Sequence, residues 1–168
     1  IRAWKRIIKR FRITFTKAKD IGVSVFVDAE ESWIQPAIDE LVEEMMLEFN
    51  KEKTIVFNTV QMYRKGRYEY LKELNNKSIK HNFKIGIKLV RGAYMEMERG
   101  RAKKNNYPSP ICDSKSETDK QYDNGIEYMF KNFERFSMFL GSHNEASANK
   151  AINLAEKNSI LGDDPNLS

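Results

Sequence analysis

The sequence predicts an α/β fold, specifically a partial (β/α)8 TIM-type barrel with about four strands. Four strand-like segments alternate with helix-like segments, which favours a parallel sheet because parallel neighbours need helical crossovers. No glycine follows the first strand, where a doubly wound sheet usually carries a phosphate-binding loop. Polar residues stand instead at the carboxyl ends of several strands, as in barrels of roughly 250 residues. A chain of 168 residues would therefore supply about half of such a barrel.

The first unit of the chain is a helix followed by a strand. Apolar residues recur at intervals of three and four and predict an amphipathic helix that ends near Gly22; they are Trp4, Ile7, Ile8, Phe11, Phe15 and Ala18. The segment "VSVFVD", residues 23–28, alternates and is rich in β-branched residues, which predicts a strand. Ser32 and Gln35 then predict a capping box for a long helix, with Pro36 in its first turn.

The same alternation continues to the end of the chain. Three further strands are predicted at 54–59, 84–90 and 137–142. Helices are predicted at about 68–78, 94–104, 118–133 and 145–157. A loop with two prolines, "NNYPSPICDSK", separates the predicted helix at 94–104 from the predicted helix at 118–133. No low-complexity linker divides the chain.

Composition limits the classes of partner and compartment. The net charge of +5 comes from 29 basic and 24 acidic residues, mostly interleaved along helices. The basic segment at the start could touch acidic lipid or nucleic acid, but mixed charge runs are more typical of a solvated face, so we expect no nucleic-acid partner. Apolar runs are too short for a membrane span or a signal peptide. The single cysteine, Cys112, excludes an internal disulfide and a cysteine-based zinc cluster and favours a reducing compartment.

The two ends of the sequence suggest a piece of a longer protein. Ile1 already lies inside a helical pattern, and the tail "GDDPNLS" follows a turn signal without a closing element. We therefore expect residues 1–168 to form a single incomplete domain that is truncated at both ends.

Strand periodicity places two opposite charges in one cavity. In the third strand Ile85, Ile87 and Leu89 should face the helices, which points Lys88 into the barrel beside the small Gly86. The same parity points Asp28 inward from the end of the first strand. Buried ionisable groups at strand ends of barrels are more often functional than structural, although an Asp–Lys pair that only fills the barrel top is the alternative.

Other polar residues extend this set of candidates. Asn58 and Gln61 lie at the end of the second strand, Arg91 at the third, and His143 with Asn144 at the fourth. His143 could join Asp28 and Glu30 at a metal, but zinc sites usually need more histidines, and a hydrogen bond to a ligand is the favoured interpretation.

The turns and helix starts add a second group of candidates. Gly92 would permit close approach of a backbone to a ligand, and Tyr94 could offer a ring face or simply pack. Lys115 and Thr118 lie at a helix start that suits phosphate, or that is merely capped beside a solvated lysine.

Several ordered motifs resemble one known family. The segments "VDAEES", "NTVQMY", "KLVRGAYMEMER", "YPSPICDSKSETD" and "SHNEAS" are similar, in this order and at similar separations, to the central segments of proline dehydrogenase. The resemblance runs from about Val23 through Ala148. It implies a barrel that binds FAD at the carboxyl ends of its strands, with the present strands resembling the second to the fifth.

The resemblance also implies a role for each matched residue. Asp28 and Lys88 match the acidic and basic active-site positions, and Tyr94 matches a tyrosine near the substrate ring. The cofactor-contacting positions of the family match Val27, Gln61, Arg91, Gly92, Ala93, Lys115, Ser142, His143 and Asn144. Thr118 is the weakest match, and no metal site is expected.

The implied reaction is the oxidation of L-proline to Δ1-pyrroline-5-carboxylate, with hydride transfer to FAD and electrons passed on to a quinone. Lys88, Gln61 and His143 would stabilise the negative charge that develops on the reduced ring. The full-length protein would then contact a membrane peripherally, and would be cytoplasmic or at the inner membrane in a bacterium and mitochondrial in a eukaryote.

The resemblance also places family residues outside this chain. The lysine on the first strand that helps hold the substrate would precede Ile1, and the arginines that clamp the proline carboxylate would follow Ser168. We therefore expect the isolated chain to bind FAD poorly and to lack turnover. Two alternatives remain: a non-catalytic fragment or scaffold, and a metal-dependent barrel hydrolase that uses Asp28 and His143.

Overall fold

A computed structural model describes residues 2–160 of the chain. Ile1 and residues 161–168, which include the tail "GDDPNLS", lie outside the described residues. The elements in chain order are α1 (Arg2–Ile21), β1 (Val25–Val27), α2 (Gln35–Phe49), β2 (Val56–Gln61), α3 (Arg67–His81), β3 (Ile85–Val90), α4 (Met95–Lys104), α5 (Lys115–Lys131), β4 (Phe136–Gly141) and α6 (Glu145–Lys157).

The four strands form one parallel sheet in the order β1-β2-β3-β4. Each strand therefore pairs with its neighbours in sequence, and a helix makes every connection between them. In the register of the sheet Phe26 lies beside Phe57, Phe57 beside Gly86, and Gly86 beside Ser137. The predicted α/β architecture with four parallel strands is confirmed.

One face of the sheet is covered by the helices and forms the core. Ile85, Ile87 and Leu89 are fully buried on this face, as strand parity predicts. Phe15 of α1 joins the same core and contacts the ring of Phe49 on α2 at a centroid distance of 5.9 Å. Burial of these side chains stabilises the stack of helices on the sheet.

The opposite face of the sheet is concave and carries a row of aromatic rings. Phe26 stacks on Phe57 at 4.6 Å and meets Phe139 edge-on at 5.5 Å. Gly86 lies in the same row, and a Cβ there would collide with the backbone oxygen of Val56 and the Phe57 ring. Glycine therefore lets β2 and β3 pair beneath a large aromatic side chain.

The start of α2 differs from the predicted capping box. Ile34 is the N-cap residue and makes no side-chain cap, whereas Pro36 does lie in the first turn as predicted. The Ser32 hydroxyl and backbone N–H both donate to the buried Glu98 carboxylate of α4, at 2.7 and 2.5 Å. Gln35 accepts from the backbone N–H of Glu30 at 2.9 Å. The capping-box prediction is wrong because Ser32 is used to hold the loop after β1 against α4.

A buried ion pair joins α2 to α3. Arg67 donates from both terminal nitrogens to the Asp39 carboxylate, at 2.8 and 3.2 Å, and its guanidinium lies 3.9 Å from the centre of the Tyr70 ring. Gln35 also donates to Asp39, at 2.9 Å. These contacts satisfy a carboxylate that is otherwise removed from water.

No helix within residues 2–160 combines the length and the apolar character that a membrane crossing requires.

Candidate active site

A cavity of about 630 Å³ opens at the carboxyl ends of the four strands. Its volume lies within the roughly 300–1,000 Å³ that is usual for small-molecule and cofactor sites. The predicted site residues among its lining are Asp28, Gln61, Lys88, Arg91, Gly92, Ala93, Tyr94, Lys115, Ser142, His143 and Asn144. The structure thus brings eleven residues from four strand ends and their following turns into one place.

Asp28 and Lys88 pair across the cavity. The Lys88 amino group donates to the Asp28 carboxylate at 2.8 Å, and the Thr59 hydroxyl lies 3.5 Å from the same oxygen. The Lys88 side chain is 29% exposed and that of Asp28 is 73% exposed, so the lysine rises from the strand and the aspartate lies at the open side. The prediction that both face one cavity is confirmed.

Gln61 ties two loops of the cavity together. Its side-chain amide donates to the backbone carbonyl of Glu30 at 2.9 Å and accepts from the backbone N–H of Ala93 at 3.1 Å. The side chain is buried at the end of β2. Gln61 therefore fixes the loop after β1 relative to the turn after β3.

The turn after β3 is built around Gly92 and the buried ring of Tyr63. Gly92 has φ +149°, and a Cβ there would collide with that ring. Two residues after Gly92, the backbone N–H of Tyr94 donates to the hydroxyl of the same Tyr63 side chain at 3.3 Å. Glycine is therefore needed at position 92 for the packing of Tyr63, in addition to any ligand approach.

Tyr94 closes the turn toward the loop after β1. Its hydroxyl donates to the Glu30 carboxylate at 3.2 Å, and the negative charge of Glu30 raises the pKa of Tyr94. The tyrosine thus stays protonated and remains a hydrogen-bond donor at neutral pH.

Two cations of the cavity wall share one carboxylate. Asp119 of α5 accepts from Lys115 at 2.5 Å and from Arg91 at 2.6 Å. The hydrogen bond from Lys115, followed by that from Arg91, lowers the pKa of Asp119. The Lys115 side chain is 78% exposed, so its ammonium remains accessible to an anionic ligand on this side of the cavity.

The segment after β4 is fixed by capping bonds. Asn144 is the N-cap of α6, and its side chain accepts from the backbone N–H of Ser147 at 3.0 Å. The Ser142 hydroxyl accepts from the backbone N–H of Asn144, also at 3.0 Å. His143 lies between these two residues and lines the cavity.

Several candidates lie elsewhere. Asn58 faces the helices, where it donates to Asp39 at 2.8 Å, so its expected place at the functional strand end is wrong by strand parity. Val27 packs against the core and is not part of the cavity lining. Thr118 is buried in α5 and donates to the backbone of Ser114, while Ser114 caps that helix and Lys115 bonds to Asp119.

Sequence reasoning missed Thr59. Its side chain faces the cavity, in register with Lys88 on the neighbouring strand. The signal was available, because Thr59 has the same parity as Gln61 on a strand of period two.

Metal-ligating side chains are not gathered at this site. Within residues 2–160 no group of three or more His, Cys, Asp and Glu side chains is placed to hold a metal ion. The hydrolase alternative that uses Asp28 and His143 therefore gains no support from the geometry.

Comparison with known proteins gives one consistent family. A family model described as proline dehydrogenase matches residues 3–166. The mitochondrial proline dehydrogenase 1 of Caenorhabditis elegans is 35% identical over 162 residues, and that of Homo sapiens is 34% identical over 155 residues. A carbapenem antibiotics biosynthesis protein, CarD, of Pectobacterium carotovorum is 40% identical over 145 residues.

The matches cover most of this chain and a minor part of the relatives. They include 94%, 90% and 86% of the chain but only 26%, 26% and 38% of those three proteins, in the same order. The structure of proline utilization A from Bdellovibrio bacteriovorus, a protein inactivated by N-propargylglycine, superposes on this chain with a TM-score of 0.89 at 26% identity. The match covers 99% of this chain and 17% of that one. Another proline utilization A structure, with proline bound in remote sites, superposes with a TM-score of 0.82 at 21% identity. This match covers 92% of the present chain and 16% of the other one, and at this identity it is evidence for the fold alone.

Proposed function

The chain belongs to the proline dehydrogenase family, and from this membership we propose that the full-length protein oxidises L-proline to Δ1-pyrroline-5-carboxylate with FAD as the hydride acceptor. In this reaction a hydride leaves the ring carbon next to nitrogen, the nitrogen loses a proton, and a carbon–nitrogen double bond forms. The chain would contribute the central strands of the barrel, as one incomplete domain.

The observation that carries the proposal is the cavity itself. Eleven residues that match family positions line one cavity at the carboxyl ends of the strands, where barrel enzymes carry their chemistry. The same edge holds the Asp28–Lys88 pair. A structural pair alone would not explain why the ends of β2 and β4, the turn after β3 and the start of α5 direct polar groups to the same space.

The donor set of the cavity fits FAD. A flavin needs polar groups and a cation beside its flat ring, and positive charge for its pyrophosphate. Lys88 and the turn 91–93 would lie beside the ring, with Gln61 bonding to the ring or holding that turn. Lys115, Ser142, His143 and Asn144 would contact the cofactor away from the ring, where the exposed Lys115 ammonium would supply positive charge for the pyrophosphate.

The residues of this chain would act mainly through charge and orientation. Bound FAD would supply the acceptor for the hydride and its two electrons. The Lys88 ammonium would stabilise negative charge that develops beside it, and Asp28 would hold that ammonium in place. The Tyr94 ring and its anchored hydroxyl would border the substrate. Val27 would contribute only backbone, since its side chain packs into the core.

The direct test uses the full-length parent protein. We expect it to purify with a flavin absorbance spectrum that bleaches on anaerobic addition of L-proline, and D-proline serves as the control ligand. N-propargylglycine, the inactivator of the Bdellovibrio relative, should abolish the bleaching. A parent that binds no flavin, or whose bound flavin is indifferent to L-proline, would contradict the proposal.

Electrons would then pass to a quinone, with peripheral contact of the full-length protein to a membrane. The eukaryotic relatives are named as mitochondrial, and a eukaryotic source would place this protein there as well; a bacterial source would place it in the cytoplasm or at the inner membrane. The test is reduction of a soluble quinone by the proline-reduced protein under anaerobic conditions, with and without lipid vesicles. Reoxidation by oxygen alone would contradict quinone as the acceptor.

The metabolic use of the oxidation is a separate question. We place it at the first step of proline catabolism, as for the relatives named proline dehydrogenase. The 40% identity to a carbapenem biosynthesis protein favours a biosynthetic role as the second candidate. Loss of growth on proline as sole nitrogen source after deletion of the gene would support the first, and unchanged growth would favour the second.

A further inference from the structure

We infer that Arg91 is a positioning residue that fixes His143 in the cavity by joining the end of β3 to the end of β4 and to α6. The inference rests on the proposed function only for its enzymatic consequence. The contacts that carry it belong to the described residues themselves.

The Arg91 guanidinium donates from three different nitrogens to three different parts of the fold. Nε donates to Asp119 of α5 at 2.6 Å, and one terminal nitrogen donates to the Ser142 hydroxyl at 2.7 Å. The other terminal nitrogen donates to the Ser147 hydroxyl of α6 at 3.0 Å. A planar guanidinium suits this role because its donors diverge in a fixed geometry, which a lysine ammonium cannot reproduce.

The face of the guanidinium is also occupied. It lies 4.3 Å from the centre of the Tyr122 ring, which is fully buried. Burial raises the pKa of Tyr122, so the ring stays neutral. The stacking and the three hydrogen bonds hold the side chain on the α5 and α6 side of the turn, opposite in strand parity to Lys88.

The partners of Arg91 bracket His143. Ser142 immediately precedes it and accepts from both Arg91 and the backbone N–H of Asn144. Asn144 immediately follows it and caps α6 through Ser147. The Ser147 hydroxyl, while accepting from Arg91, donates to Asp123 at 2.6 Å. The backbone on both sides of His143 is therefore fixed by hydrogen bonds that meet at one guanidinium.

The charge of Arg91 is directed to this network and away from the ligand space. Asp119 accepts from it directly, and Asp123 lies one hydroxyl further on. Lys88, by contrast, projects into the cavity and pairs with Asp28, whose side chain is mostly exposed. Arg91 would thus influence a cofactor through the placement of His143, whereas Lys88 would act directly.

The first experiment needs no cofactor and uses the full-length protein. Diethyl pyrocarbonate modifies accessible histidines, and peptide-resolved mass spectrometry gives a rate for His143 and, as an internal reference, for His81 at the end of α3. We expect Arg91→Met to change the His143 rate about fivefold or more and to leave the His81 rate unchanged, because contacts couple only neighbours. Equal changes at both histidines, or none at His143, would overturn the inference whether or not the protein proves to be a flavoenzyme.

The second experiment tests the coupling of Arg91 to His143 in the holoenzyme. His143→Ala and Arg91→Met should each weaken FAD binding, measured by flavin fluorescence, by about tenfold, and the double variant should be no worse than either, because residues acting as one unit are not additive. The flavin reduction potential should shift in the same non-additive way. Losses that multiply in the double variant would mean that Arg91 acts without His143.

Three further variants guard against misfolding and general destabilisation. Ser142→Ala removes only the contact next to His143 and should reproduce part of the Arg91→Met effect, while Arg91→Lys should not restore it. Arg135→Met is the matched control, because Arg135 bonds to Asn82 at the amino end of β4, away from the cavity. An effect of Arg135→Met as large as that of Arg91→Met would contradict a local role.

Discussion

Lys88 and Lys84 show how position along one strand decides what a charge can do. Lys84 precedes β3 at its amino end, where it donates to the backbone carbonyl of Glu134 at 2.5 Å. Lys88 lies four residues later at the cavity and pairs with Asp28. The two lysines have the same parity along this segment of the chain, but only Lys88 meets the space that we assign to the cofactor.

We therefore predict opposite outcomes for two matched substitutions in the full-length protein. Lys88→Met should lower kcat for proline oxidation by about 10²–10³, the usual cost of removing one charge-stabilising donor. Lys88→Arg should retain most of the rate, because arginine keeps a permanent positive charge at this position, and Lys84→Met should leave kcat unchanged. Steady-state kinetics with a soluble acceptor would check this, and a fully active Lys88→Met variant would contradict it.

Gly92 and Gly100 allow a second matched comparison. Gly92→Ala must adopt φ +149° and displace the Tyr63 ring, whereas the space beside Gly100 in α4 is open. We predict that Gly92→Ala lowers the free energy of unfolding and the flavin content of the purified protein. Gly100→Ala should stabilise by up to about 1 kcal/mol through helix propensity. Thermal unfolding and the flavin-to-protein absorbance ratio would decide, and a Gly92→Ala variant with normal flavin content would contradict the prediction.

The pKa of Asp119 gives a prediction about pH. Lys115 and Arg91 lower this pKa, so the carboxylate stabilises the fold above its unfolded value of about 3.9, and the contribution is lost as the pH falls through the folded value. Asp119→Asn should therefore be less stable than the wild type at pH 7, with a difference that shrinks below about pH 4. Asp113→Asn is the control, since Asp113 is 81% exposed. Urea unfolding at several pH values would test this; a difference that is constant with pH would refute it.

At the scale of elements, α2 and α3 are held together by one buried and one exposed ion pair. Arg67 and Asp39 have side chains that are 8% and 10% exposed, whereas Lys77, which pairs with Glu43 at 2.6 Å, is 55% exposed. Both pairs link the same two helices. They differ most in the exposure of the cation, since Glu43 is itself only 17% exposed.

We predict that Arg67→Met lowers the free energy of unfolding by about 3–5 kcal/mol, because it leaves Asp39 buried without its cation. Lys77→Met should cost less than about 1 kcal/mol, as is usual for exposed pairs. The double variant Arg67→Met with Asp39→Asn should recover part of the loss, since both charges are then removed while an amide oxygen still accepts from Gln35 and Asn58. Urea denaturation of the full-length protein measures all three, and equal effects of the two single variants would contradict the burial argument.

The elements also show which parts of the fold the sequence could predict. Periodicity alone gave all four strands, and α6 begins and ends at its predicted residues, Glu145 and Lys157. The interpretation of Ser32 as part of a capping box failed because its hydroxyl is drawn to Glu98, 66 residues later in the chain. The alternation of side chains along β2 assigns Thr59 to the cavity and Asn58 to the helices, as the alternation along β3 assigns Lys88 to the cavity. The cluster around Arg91 was beyond prediction, since its partners come from three elements.

At the scale of the whole molecule, the face of the sheet opposite the helices and the edge strands β1 and β4 are open within residues 2–160. Phe26 is 38% exposed and Phe139 is 37% exposed on that face. We predict that the isolated 168-residue chain binds FAD weakly, has no turnover and self-associates through β1 and β4, since open edges promote pairing between chains. Size-exclusion chromatography and flavin titration would test this, with the full-length protein as the active control. A monomeric chain with stoichiometric FAD and turnover would refute the half-barrel proposal.

The sequential strand order also bears on how the chain folds. Each strand pairs only with its neighbours in the chain, so every sheet contact closes a loop of a few tens of residues, and no pairing among the described strands requires the whole chain to be in place. β2 is buried along its whole length and pairs with β3 over five residues, whereas β1 has three residues and is half exposed. We expect folding to nucleate at the β2–α3–β3 unit and to spread outward, with β1 and its acidic residue Asp28 joining last. The Asp28–Lys88 ion pair would then form only when the edge strand docks, so local fraying of β1 in the native state would be enough to separate the two side chains.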